Sequence, residues 1–140
     1  MAVYGGSCLC GALKFTVEVP KSEFHVCHCG MCRRWHGGPA LMVMADHAPR
    51  FEADAALGVY RSSDWGERCF CSLCGTSLLW RSVDGRFQAV PVGVLDGVED
   101  FVFTMEIFVD DKPGSYAFAG DHEMMTGAEV MAAFGDETSP

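Results

Sequence analysis

The residues best suited to chemistry in this sequence are its eight cysteines, which fall into three short clusters. The clusters are Cys8-Leu-Cys10, Cys27-His-Cys29-Gly-Met-Cys32 and Cys69-Phe-Cys71-Ser-Leu-Cys74. Thiolates prefer soft or borderline cations, and a C-x-C or C-x-x-C turn directs two sulfurs toward one ion at about 2.3 Å. The spacing therefore indicates a metal protein, and zinc is the expected metal.

Other uses of clustered cysteines fit the sequence less well. A disulfide framework needs an oxidising compartment, and the chain begins Met1-Ala-Val-Tyr-Gly-Gly, without the basic and apolar regions of a signal peptide. A rubredoxin-like iron site uses two C-x-x-C pairs, and no iron–sulfur cluster spacing is matched. A redox C-x-x-C would stand as a single pair in a βαβ context, whereas these pairs lie within longer clusters.

The composition indicates a small acidic protein. The chain has 140 residues, a net charge of −9 and a pI near 4.8. We expect one domain over residues 1–140, long enough to bury roughly two thirds of its unfolded surface. The acidic charge repels phosphate backbones, and no apolar run approaches the ~18 residues of a membrane helix. These properties predict a cytoplasmic protein with neither nucleic acid nor membrane as a partner.

Hydrophobic periodicity predicts a mainly β fold with little helix. Apolar alternation or short apolar runs predict strands over 12–18, 41–44, 87–94 and 102–109. The clearest helix signal is a capping box, Thr126-Gly-Ala-Glu129, which begins a short C-terminal helix. Residues 29–36 could form one more helical turn, and 136–140 are expected to form a frayed tail.

The second and third cysteine clusters share the spacing C-x-C-x-x-C. Eight sulfurs could therefore fill two four-cysteine sites, and counting alone does not decide how they pair. If Cys69 joined the second cluster, both metals would be closed and structural. If it did not, one site would keep an open coordination position, which is the mark of a catalytic zinc.

Longer motifs around the cysteines carry a family resemblance over residues 5–118. They are Gly6-Ser-Cys8-Leu-Cys10-Gly11, Cys27-His-Cys29-Gly-Met-Cys32-Arg-Arg34-x-x-Gly37, Arg68-Cys-Phe70-Cys71-Ser-Leu-Cys74-Gly-Thr76 and Phe108-Val-Asp-Asp-Lys112-Pro113. In this order they resemble the glutathione-dependent formaldehyde-activating enzyme family, to which centromere protein V is related. The resemblance implies a β-tent of small antiparallel sheets organised around two zinc sites.

The resemblance also implies roles for seven cysteines. The four that would hold a structural zinc are Cys8, Cys10, Cys71 and Cys74. The three that would hold a catalytic zinc are Cys27, Cys29 and Cys32. Because a three-thiolate site has an exchangeable fourth ligand, we expect it to lose metal more easily and to be partly occupied.

The implied activity is that of a carbon–sulfur lyase or its synthetic reverse. An open zinc position lowers the pKa of an incoming thiol, so that its thiolate exists at neutral pH. Attack of that sulfur on an aldehyde gives an adduct such as S-hydroxymethylglutathione. The expected partners are therefore a glutathione-like thiol and an aldehyde. The alternative is a non-catalytic zinc-binding structural or interaction module, which the acidic charge disfavours.

Several residues close to the clusters allow more than one interpretation. Arg33 and Arg34 could contact a carboxylate of the thiol substrate or form structural ion pairs. Cys69 is an extra thiol that could fill the core, react as a bystander or complete the second zinc site. His36 could donate a proton to a developing alkoxide, but a hydrogen-bonded structural histidine is favoured. His28 is expected to point away from the metal.

Overall fold

The computed structural model describes residues 2–135, so the predicted tail at 136–140 lies outside the described part of the chain. The strands of this part are Ala2–Ser7 (β1), Lys14–Val19 (β2), Glu23–Cys27 (β3), Ala40–Ala45 (β4), Arg50–Phe51 (β5), Leu57–Arg61 (β6), Gly66–Cys71 (β7), Ser77–Ser82 (β8), Gln88–Pro91 (β9), Val102–Ile107 (β10) and Glu123–Met125 (β11). The helices are Gly30–His36 (α1) and Gly127–Val130 (α2).

The strands form two sheets, one of three strands and one of eight. Their orders are β1-β2-β5 and β11-β10-β3-β4-β9-β8-β7-β6. Most neighbours are antiparallel, but β10 runs parallel to both β3 and β11. The mainly β prediction is confirmed, while the second sheet is larger than expected and mixed. Parallel neighbours need long crossover connections, which local periodicity does not reveal.

Alternation along β2 places its apolar side chains in the core. Phe15, Val17 and Val19 are each 3% exposed, whereas Lys14 and Thr16 face solvent. Burial of such a side chain contributes roughly 1.5–3 kcal/mol. Together with apolar residues of β4, β8 and β9, these side chains form the core between the sheets.

The predicted C-terminal helix begins at its expected capping box. Thr126 Oγ1 accepts the Glu129 N–H at 3.2 Å, and Glu129 Oε1 accepts the Thr126 N–H at 2.8 Å. The α-helical part is one turn long and continues as a π-helical turn, Met131–Gly135. Val92–Val94, which was predicted to extend a strand, forms a 3-10 turn after Pro91. Within residues 2–135 no helix combines the length and apolarity needed to cross a membrane.

Candidate active site and metal centres

The structure brings four cysteines from the two sheets into one cluster. Cys8 follows β1, Cys71 ends β7, and Cys10 and Cys74 lie in the adjoining turns. Their four sulfurs lie within 4.8 Å of one another. The Sγ atom of Cys10 is 3.6 Å from that of Cys8 and 3.7 Å from that of Cys71.

These distances fit one tetrahedral zinc ion. Sulfurs bound to such an ion at about 2.3 Å lie about 3.75 Å apart, close to the observed spacing. The Leu13 N–H donates to Cys8 Sγ at 3.3 Å, a bond that orients a ligand sulfur. An ion held here would join the three-stranded sheet, through β1, to the eight-stranded sheet, through β7.

Thr76 connects the two turns that carry this cluster. Its Oγ1 accepts the Leu9 N–H at 3.1 Å and lies 3.2 Å from Cys74 Sγ. Hydrogen bonds from the Thr76 hydroxyl and backbone lower the pKa of Cys74 to about 5. Cys74 is therefore a thiolate at neutral pH, which is the form that binds a metal.

The second cluster contains three cysteines from one continuous segment. Cys27 ends β3, Cys29 is the N-cap of α1, and Cys32 lies in its first turn. Their sulfurs also lie within 4.8 Å of one another. The helix begins here because Cys29 Sγ accepts the Cys32 N–H at 3.3 Å, and it ends at Gly37, whose φ of 80° favours glycine.

The ionisation of the sulfurs in this cluster favours the binding of a cation. Hydrogen bonds from Cys27 and Cys32 lower the pKa of Cys29 to about 2, although burial opposes the shift. Hydrogen bonds with Cys29 and Cys32, together with burial, raise the pKa of Cys27. One sulfur of the group is thus a thiolate at neutral pH, and a divalent cation would favour ionisation of the other two.

Cys69 belongs to neither sulfur cluster. Its side chain is fully buried and belongs to the core cluster that also contains Cys8 and Cys71. Burial raises the pKa of its thiol, so the neutral form is favoured. This environment agrees with the interpretation of Cys69 as a residue that fills the core. Among residues 2–135 the three-cysteine cluster has no fourth cysteine ligand.

Arg68 is the residue near the second cluster that the sequence analysis did not single out. It is 4% exposed, and its Nη2 lies 3.7 Å from Cys32 Sγ. Its Cζ also lies 5.9 Å from the centroid of the Trp35 ring. Arg68 precedes Cys69 on β7, so strand alternation puts the two side chains on opposite faces. This alternation along β7 was the sequence signal that could have identified Arg68 as a neighbour of the second cluster.

Apolar and aromatic side chains surround the three cysteines. Cys27 packs with Ala40, Met42 and Ala89, and the partly buried side chains against them include Trp80 and Phe108. Such an environment limits the access of water and strengthens electrostatic interactions. Phe108 also has the left-handed backbone conformation, with a φ of 56°. Non-glycine residues in that conformation concentrate at functional sites.

His28 points away from the three-cysteine cluster, as predicted. Its Nε2 lies 2.6 Å from Glu106 Oε1, and its Nδ1 lies 3.0 Å from the Tyr116 hydroxyl. The other carboxylate oxygen of Glu106 is bonded to His122. The sequence analysis had not identified Glu106, whose partners are distant in sequence.

The remaining candidates lie along α1. Arg33 Nε donates to the His28 carbonyl oxygen at 3.0 Å, so part of its side chain supports the backbone of the cysteine segment. Arg34 is exposed, and together with Gly30 and Arg33 it lines an open pocket of about 360 Å³. The side chain of His36 has no hydrogen bond among the described residues, contrary to the hydrogen-bonded structural role favoured for it. Burial and the charge of Arg68 lower its pKa.

Comparisons with known proteins give consistent matches. A family model described as glutathione-dependent formaldehyde-activating enzyme matches residues 3–111. An uncharacterised lyase of Schizosaccharomyces pombe is 33% identical over 132 residues, which cover 94% of this chain and 96% of that protein. A Halomonas elongata protein, named as a candidate glutathione-dependent formaldehyde-activating enzyme, is 31% identical over 86 residues, or 52% of each chain.

A crystal structure of a Rhodobacter sphaeroides protein has a similar fold. Its TM-score is 0.58 at 24% identity, and the match covers 71% of this chain and 99% of that one. At this identity the likeness supports the fold alone.

Proposed function

The chain belongs to the glutathione-dependent formaldehyde-activating enzyme family, and we propose that it is a zinc-dependent carbon–sulfur lyase acting on a thiol–aldehyde adduct. The observation that carries this proposal is the difference between its two cysteine clusters. One brings four sulfurs together and the other brings three. The first fits a closed structural zinc, and the second fits a zinc with one position left for a substrate.

In this proposal Cys27, Cys29 and Cys32 hold the catalytic zinc. Zinc bound there would supply a Lewis-acidic position at which a thiol is stabilised as its thiolate at neutral pH. In the synthetic direction the thiolate sulfur bonds to the aldehyde carbon, and the carbonyl oxygen takes up a proton. In the lyase direction the hydroxyl of the adduct loses its proton, the carbon–sulfur bond breaks and the thiolate leaves. No oxidant or reductant is needed.

His36 is the proposed proton carrier for the oxygen. Burial and the nearby Arg68 favour its neutral form, which can accept the hydroxyl proton in cleavage and return it in synthesis. It lies at the end of α1, and the charge of Cys29 acts on it. A neutral imidazole in a partly buried place suits a group that must both gain and lose a proton.

Arg33 and Arg34 are the proposed contacts for a carboxylate of the thiol substrate. Arg34 has no partner among the described residues and lines the pocket that begins at Gly30, one residue after Cys29. Arg33 shares its guanidinium between this pocket and the His28 carbonyl. Of the two, Arg34 is therefore the freer donor for a glutathione-like carboxylate. The proposed zinc sites also require cysteines that stay reduced, and the cytoplasm keeps thiols reduced. We therefore propose that the protein acts in the cytoplasm.

The proposal is tested by measuring exchange between free aldehyde and its thiol adduct. Carbon-13 formaldehyde is mixed with glutathione, and NMR saturation transfer reports how fast S-hydroxymethylglutathione forms and breaks. We expect zinc-loaded protein to accelerate exchange, Cys29→Ser to abolish the acceleration and Cys69→Ala to retain it. The same assay with larger aldehydes and other thiols then defines the substrate. Two tightly bound zinc ions without acceleration for any pair would favour a structural module instead.

A further inference from the structure

Arg68 is a buried cation without a carboxylate partner. Within residues 2–135 the one hydrogen bond of its side chain is to Cys32 Sγ, 3.7 Å from Nη2, and its guanidinium also lies against the ring of Trp35. The adjacent Glu67 pairs instead with Arg81, at 3.5 Å. A desolvated guanidinium is costly unless an anion lies close to it. The sulfurs of the three-cysteine cluster are the anions that this position offers.

The two clusters differ in how their negative charge is compensated. In the four-cysteine cluster, Cys10 and Cys74 are exposed, so water can solvate the thiolates. In the three-cysteine cluster, Cys27 is buried and the other two sulfurs are half-buried. Three thiolates around a divalent zinc leave one net negative charge, and a substrate thiolate at the open position adds a second. That second charge is unfavourable in a partly desolvated place unless a cation is fixed nearby.

We infer that Arg68 is the positioning residue that allows the three-cysteine site to take a thiolate as its fourth ligand. Nη2 holds Cys32, and the guanidinium charge offsets the negative charge that an incoming thiolate adds. Its other N–H groups have no partner among the described residues and can donate to an anion at the open position. The inference rests on the proposed function for the identity of that ligand, a thiol bound as its anion.

The test compares neutral and charged replacements at this position. Arg68→Met removes the charge at similar length, Arg68→Gln is a second neutral variant should the first not fold, and Arg68→Lys restores a charge. Arg81→Met is the matched control, since it removes a sheet arginine that pairs with Glu67. Zinc affinity at each site is measured by chelator competition. Glutathione binding is measured from the visible absorption of the cobalt-substituted protein.

We expect the neutral variants to bind zinc at the three-cysteine site, and glutathione at its cobalt form, roughly 10- to 100-fold more weakly than wild type. The four-cysteine site should keep its zinc affinity, Arg68→Lys should recover part of the loss, and Arg81→Met should match wild type. Unchanged affinities in Arg68→Met or Arg68→Gln would overturn the inference. So would equal weakening of both sites, because that is the result of a merely structural role.

The rate of adduct exchange in the presence of the wild-type protein tests the proposed function separately. An active wild type, together with neutral variants that keep full metal and glutathione affinity, would overturn the inference and leave the lyase proposal standing. A wild type that binds glutathione in an Arg68-dependent way but accelerates no adduct exchange would support the inference and overturn the lyase proposal.

Discussion

His28 Nε2 lies 2.6 Å from Glu106 Oε1, although both side chains are almost fully buried. His28 stands between Cys27 and Cys29, so this contact fixes the backbone from which two sulfurs of the three-cysteine cluster project. The other oxygen of Glu106 is bonded to His122, just before β11. One buried carboxylate therefore joins the cysteine segment to the later part of the chain.

Replacement of Glu106 by Gln should destabilise the protein and loosen the three-cysteine site. The glutamine side chain has nearly the shape of the Glu106 side chain but lacks its negative charge. It also presents an N–H group, in place of an acceptor oxygen, to one of the two histidines. We expect a loss of about 3 kcal/mol in the free energy of unfolding, because two buried hydrogen bonds to a carboxylate are weakened or lost. Zinc at the three-cysteine site should bind roughly tenfold more weakly, as for other residues that orient ligands. Urea unfolding and chelator competition measure the two effects, and unchanged values would contradict this role.

The contribution of Glu106 should also depend on pH. Burial raises the pKa of Glu106, but hydrogen bonds and charges from His28 and His122 outweigh it and hold the pKa below the ordinary 4.5. As pH falls below 4.5, Glu106 takes up a proton in the unfolded chain before it does so in the folded protein. The stabilisation is therefore lost as the pH falls toward and through the pKa of Glu106 in the folded protein.

The stability difference between wild type and Glu106→Gln should therefore be largest near neutral pH and shrink below pH 4.5. Urea unfolding at stepped pH measures it. Glu18→Gln is the control, because Glu18 faces His47 at 3.7 Å in an exposed pair that contributes little. A difference that stays constant down to pH 3 would contradict the prediction.

The two clusters should respond differently to the loss of a ligand. Cys71→Ser removes a buried sulfur from the cluster that joins β1 to β7, so we expect the loss of that zinc and an unstable or aggregated protein. Cys29→Ser should remove only the other zinc and lower the melting temperature much less. Elemental analysis and thermal unfolding measure both. Collapse of Cys29→Ser with an unaffected Cys71→Ser would reverse the structural and catalytic assignments.

Cys69→Ala should leave both zinc ions in place. Cys69 is fully buried in the core and belongs to neither sulfur cluster, so the substitution removes packing but no ligand. The expected cost is about 1 kcal/mol for a small cavity. Zinc analysis and urea unfolding measure it, and the release of one zinc per chain would show that Cys69 is a ligand.

The sequence predicts best those features that depend on neighbouring residues. Alternation identified the buried face of β2, and the capping box at Thr126 identified the start of α2. The contact between Arg68 and Cys32 joins residues 36 positions apart, and that between His28 and Glu106 joins residues 78 positions apart. Such contacts depend on the order of strands in the sheet, which local periodicity does not encode. The grouping of the cysteines could be anticipated only through the family resemblance.

The most direct test of the account is the sulfur coordination of bound zinc before and after a thiol is added. X-ray absorption at the zinc edge counts sulfurs at about 2.3 Å. For fully loaded protein the account predicts about 3.5 sulfurs per zinc, the average of a four-cysteine and a three-cysteine site. Glutathione should raise the count to about 4 in the wild type, whereas Cys29→Ser, holding one zinc, should show about 4 throughout. Four sulfurs in the wild type before thiol is added, or a count that glutathione does not change, would contradict the open, thiol-binding site.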